Sequence, residues 1–150
     1  MTDVAVILTP IPRARFLTAL CGLHKVAGTV LETSGGPIVV LDDASRESAE
    51  RAARALSGFL KGTPFLLAES RAGNVRVQEW RGGAVENEPP AGLALADSPG
   101  VVTTILTGAQ SIAQVAETHE DKVHSTAMGR VAAYRELLRE TKELRKAHGS

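Results

Sequence analysis

Cysteine occurs once in the 150 residues, at Cys21. A single thiol cannot form an internal disulfide, which fits a reducing compartment. Aromatic side chains are also scarce: Phe16, Phe59, Phe65, Trp80 and Tyr134 are the whole set. Alanine, valine and leucine must therefore fill the core, which favours close-packed helices and small contacts. No basic N-terminal region precedes a long apolar stretch, and no run approaches the roughly 18 apolar residues of a membrane span. The expectation is a soluble, cytoplasmic protein without a membrane partner. Also missing are a glycine-rich phosphate loop, a G-x-S-x-G turn, an H-E-x-x-H helix and paired C-x-x-C motifs, so no cofactor is expected. What is present, 43% hydrophobic and 23% charged residues, is the composition of a globular domain of ordinary size.

Basic residues are absent from a 40-residue stretch. Residues 82–121 contain six acids and no Lys or Arg, whereas residues 122–150 contain seven bases and three acids. Residues 1–81 are nearly balanced, with ten bases and eight acids, and the whole chain is neutral. Such blocks point to charge pairing within the molecule or between protomers, or to two differently solvated surfaces.

The run VAVILT (4–9), ended by Pro10 and Pro12, has the continuous apolar, β-branched character of a buried strand. Phe16, Leu20, Leu23 and Ala27 then recur at helical spacing up to Gly28. TVLET and PIVVLD flank Ser34-Gly35-Gly36 as a hairpin would. A second helix follows, with Asp43 or Ser45 as its cap, Ala49, Ala52, Ala53, Leu56, Phe59 and Leu60 on one face, and Gly62 at its end. PFLLAES and NVRVQEW make a second hairpin across RAGN. The order β-α-β-β-α-β is that of a ferredoxin-like α+β sheet with two helices on one face, and residues 74–80 add an extra edge strand.

Three regions follow from this: a ferredoxin-like core (1–81), an acidic Gly/Pro-rich connecting loop (82–98) with a short extended piece at Leu93–Ala96, and a C-terminal helical extension (99–150). In the last, Ser98 and Pro99 open a helix continuing through Val101, Ile105, Ile112 and Ala116. A longer helix is expected from about Thr118 to Ala147, pairing with it as a hairpin or with a second copy.

The densest chemistry is ETHEDKVH (117–124). On a continuous helix Glu117, Asp121 and His124 would share one side, with the carboxylate–imidazole spacing of bundle metal sites. The same stretch also reads as a helix start: Thr118 as cap, Asp121 in a short-armed capping box and Glu120 in the first turn. Beyond it Val123, Ala127, Val131, Tyr134 and Leu138 form an apolar stripe, the expected interface of a homo-oligomer, dimeric in the simplest case. A helix-turn-helix reading fails on electrostatics, because Glu120 and Asp121 would meet the nucleic acid's phosphates first. Nucleic-acid binding would instead use the later Arg130, Arg135, Arg139, Lys142, Arg145 and Lys146. Arg13 and Arg15, at a helix start, could bind an anion, and Asp42-Asp43 a magnesium ion, unless helix capping uses them. Cys21 and His24 lie one helical turn apart but have no orienting acid.

The resulting expectation is a non-enzymatic interaction or regulatory protein working by self-association or partner binding. The alternatives are a nucleic-acid binder using the basic C-terminal helix, and a small enzyme or metal protein with a His/carboxylate site at 117–124.

Overall fold

The computed structural model describes residues 3–126. Among these residues seven strands form one antiparallel sheet: β1 (Val4–Leu8), β2 (Gly28–Leu31), β3 (Ile38–Leu41), β4 (Phe65–Arg71), β5 (Asn74–Arg81), β6 (Ala84–Asn87) and β7 (Val123–Ser125). Their order across the sheet is β6-β5-β4-β1-β3-β2-β7. Five helical segments accompany them: α1 (Ala14–Leu23), α2 (Arg46–Phe59), α3 (Ala91–Ala94), α4 (Gly100–Leu106) and α5 (Ile112–Thr118).

The sheet has a packed core on each face. Ala5 and Ile7 of β1, Val39 of β3 and Phe65 and Leu67 of β4 point towards Leu17 and Leu20 of α1 and Ala49, Ala53 and Leu56 of α2. The alternate residues Val6, Val40, Ala68 and Val77 meet Val102, Ile105 and Leu106 of α4 and Val115 of α5. Adjacent side chains of a strand point to opposite faces, so a strand covered on both sides must be apolar throughout. That is why VAVIL and IVVL are unbroken apolar runs although their neighbours are antiparallel.

Local chemistry sets the connections. Ser45 caps α2 by accepting from the Ser48 N–H at 3.3 Å, and Asp43 Oδ1 accepts from the Ser45 N–H at 2.9 Å. The hydrogen bond from the Ser45 backbone, followed by that from the Ser45 side chain, holds the Asp43 carboxyl below its ordinary pKa. The β4–β5 hairpin turns at Ala72 and Gly73, both at positive φ, as a two-residue turn between right-twisted strands requires.

Several expectations are corrected. The supposed loop at 82–98 holds β6, paired to β5 across Gly82-Gly83 at φ 60° and 87°. Thus β5 is not an edge strand, and the piece expected to be extended at Leu93–Ala96 begins instead in the short helix α3. Two acids of this stretch neutralise β5: Glu86 accepts from Arg81 Nε at 2.8 Å, and Glu88 pairs with Arg76. Hydrogen bonds to Glu88 from Gln78 and then Arg76 hold its carboxyl below the ordinary value. The single helix expected over 99–117 is two helices, because the chain takes φ 80° at Gly108 and restarts at Ser111. There Ser111 Oγ accepts from the Gln114 N–H while Gln114 Oε1 accepts from the Ser111 N–H, a full capping box.

Thr118 ends α5 rather than starting a helix, with its hydroxyl donating to Val115 O at 3.2 Å. Glu120–Lys122 form a single 3₁₀ turn, and Val123–Ser125 pair with β2, Leu31 opposite Val123. The free edge of β2 provides backbone partners that override the helical periodicity of the local sequence. Thr126 secures this closure: its hydroxyl donates to Val26 O at 2.7 Å and accepts from the Gly28 N–H at 2.9 Å. The expected helix therefore does not begin at Thr118, and its remainder beyond residue 126 lies outside the described residues.

Candidate functional site

On the face carrying α4 and α5, one end of the sheet is incompletely covered and leaves a groove of about 630 Å³. Its floor is Val4 at the start of β1, Val40 and Leu41 at the end of β3, and Val75 at the start of β5. Ile105 and Leu106 close α4 along one wall, and Ile112 opens α5 beyond the Gly108 break. The break therefore builds the groove: an unbroken helix would not offer the polar turn of Thr107, Gln110 and Ser111 at its rim.

Two features give the groove chemistry. Ser70, on β4 between Val4 and Val75, is only 6% exposed and lines the groove. Its hydroxyl makes no hydrogen bond to another described residue. The hydroxyl therefore faces the groove's solvent and is free to exchange a water for a polar group of a ligand. Asp3 and Asp42 are the charged groups of the lining, and no Lys, Arg or His joins them among the described residues.

The opposite face of β4 carries a second polar cluster. Glu69 is 2% exposed, and its Oε2 accepts from Arg71 Nε at 3.1 Å and from Arg71 Nη2. Arg71 Nη1 also reaches Asp3 Oδ2 at 3.3 Å. Glu69 Oε1 has no partner among the described residues, nor has Gln78 Oε1. This cluster is an ion-pair network at the end of β4, reaching Asp3 at the start of β1.

The residues singled out in the sequence are dispersed. Glu117 lies on α5, Asp121 in the 3₁₀ turn and His124 on β7, so the shared helical side required for a metal site does not exist. His124 Nε2 instead meets Glu32 Oε2 at 2.9 Å, and among the described residues no three His, Cys, Asp or Glu side chains are grouped to hold a metal ion. Asp43 is used in capping α2 while Asp42 lines the groove. Arg13 occupies the cap position of α1 and borders an apolar pocket of about 220 Å³ with Pro10, Pro12, Phe16 and Leu60; Arg15 is exposed in the first turn. Of the interface stripe, Val123 packs at the margin of the second core, whereas Ala127, Val131, Tyr134 and Leu138 lie outside the described residues, as do Arg130, Arg135, Arg139, Lys142, Arg145 and Lys146.

Cys21 and His24 do not form a nucleophilic pair. Burial pushes the Cys21 thiol from 9.0 up to about 12, while the exposed His24 ring stands edge-on to Phe59 at 5.7 Å. The thiolate, not the thiol, attacks, so native Cys21 should resist iodoacetamide at pH 8 and react only after denaturation, as mass spectrometry would show. The same shift makes stability depend on pH. Between pH 9 and 12 the unfolded chain releases a proton that the native chain keeps. Stability should therefore fall by about 1.4 kcal/mol per pH unit over that window, with no contribution from this group below it. Cys21→Ala should remove that slope in denaturant titrations.

Taken together, fold and site define an α+β domain with a seven-stranded antiparallel sheet and a lined groove at one end. Among the described residues no helix is long and apolar enough to cross a membrane. No protein-family model, curated protein or solved structure gives a match to this chain.

Proposed function

We propose that this protein is a non-enzymatic interaction or regulatory module, built on a ferredoxin-like core, that takes a small ligand with an apolar body into the groove. The strand order β4-β1-β3-β2 with α1 and α2 packed on one face supports the ferredoxin-like reading. The observation carrying the binding role is the apolar-floored groove of about 630 Å³, onto which Ser70, a residue only 6% exposed, turns a hydroxyl that no other described residue engages. That size and lining are those of small-molecule sites, where a few polar groups orient a mostly apolar ligand. A regulatory ligand would act by bridging the sheet end and the α4–α5 turn, two parts that the groove separates.

The test uses isotope-labelled full chain and 2-phenylethanol, a neutral probe with an apolar ring and one hydroxyl. Amide shifts at Ser70, Val75 and Ile112 should move together, with a Kd on the order of 1 mM for so small a probe. Thr107→Trp, at an exposed rim position, should abolish the shifts while leaving the remaining spectrum native. Shifts scattered outside the groove, or unchanged by T107W, would refute the assignment.

A further inference from the structure

The ligand's charge can be read from the lining. We infer that the groove selects a small amphipathic organic cation, an apolar body bearing one protonated amine or amidine; this rests on the groove being a binding site. Asp3 and Asp42 are its charged groups, and none of its polar residues, Ser70, Thr107, Gln110, Ser111 and Gln114, carries charge. The two carboxylates are not equivalent. Asp3 already holds Arg71 at 3.3 Å. The Asp42 carboxylate has no hydrogen bond or ion pair among the described residues, while its backbone N–H donates to Ala27 O at 3.1 Å and fixes its position at the end of β3. An anionic ligand would meet Asp42, an exposed carboxylate, without any compensating base in the lining, whereas a cation would be attracted to it.

The second observation is Ser70. On a residue only 6% exposed, its hydroxyl is engaged by no other described residue and lines the groove between Val4 and Val75, where it can accept from an N–H as well as donate. The surrounding sequence agrees in sign: α4, α5 and the turn between them belong to the stretch from 82 to 121 that has no Lys or Arg. A cation approaching this wall meets no repulsion from it.

Three probes of one size separate the claims: 2-phenylethylamine, 2-phenylethanol and phenylacetate, titrated into the labelled full chain at low salt. The amine should bind at least threefold tighter than the alcohol, and the carboxylate weakest, with the same amides shifting. Asp42→Asn should weaken the amine by about fivefold and leave the alcohol unchanged, the size expected of a solvent-exposed charge contact. Added salt should erode the amine's advantage. Equal affinities for amine and carboxylate, or equal weakening of amine and alcohol by D42N, would overturn the cation assignment while the groove stood as a binding site. Failure of all three probes to move the groove amides would overturn both.

Discussion

Arg71→Met is expected to lower the unfolding free energy by about 3–5 kcal/mol, the cost of leaving a buried charge without its partner. Glu69 is 2% exposed, one of its oxygens is already unpartnered, and Arg71 supplies two donors to the other. Arg76, directly across the ladder from Glu69, cannot readily substitute, since its guanidinium is engaged by Glu88. Denaturant titration followed by Trp80 fluorescence measures the loss. Replacing both residues, E69M with R71M, should restore most of it, because the cost lies in the uncompensated charge and not in the absence of an ion pair. A loss below about 1 kcal/mol in R71M would mean that water already reaches Glu69.

Phe65→Ala is expected to have a loss of similar size, about 3–5 kcal/mol, by a different route. Phe65 is fully buried, stands opposite Trp80 across β4 and β5, and belongs to the core beneath α1 and α2. Aromatics are so few here that smaller side chains cannot close over the space left. Trp80 lies with its ring 5.9 Å from the Arg54 guanidinium carbon and its Nε1 buried without a partner among the described residues. Opening the core beside it should also red-shift its native emission as water reaches the indole. Phe65→Leu should recover most of the stability. An F65A variant as stable as the parent would show that the first core is not packed around this ring.

How much was legible follows from where the stabilising partners sit in sequence. β1, β3 and α2 rest on nearest-neighbour patterns, an unbroken apolar run or a capped amphipathic stretch, and these are readable without the fold. Two missed elements had local signatures that were assigned elsewhere. Gly82-Gly83 between Arg81 and Ala84 is a hairpin turn, and Ser111-Ile-Ala-Gln114 is the capping box sought seven residues later at Thr118. β7 had no local signature at all, because what makes Val123–Ser125 extended is an edge offered by residues 29–31. The groove was illegible for the same reason. Its lining comes from the starts and ends of several strands and from the α4–α5 break; Asp42 was visible only as half of an Asp pair that suggested a metal ion, and Ser70 carries no motif. Their significance depends on sharing one groove, which only the packed chain defines.

The closing contacts of Thr126 have a consequence for the order in which the protein can be made. They join it to Val26 and Gly28 across 100 and 98 residues of chain. During synthesis the strands β1 to β6 and both helices of the first core can assemble while β2 still lacks its outer neighbour. Contacts of such separation form late, since a long loop must close before they contribute. The wall supplied by α4 and α5 is likewise made after the sheet it covers. The groove is therefore completed only after β1 to β6 are made, and a nascent chain stalled before residue 111 would carry those six strands without the completed site.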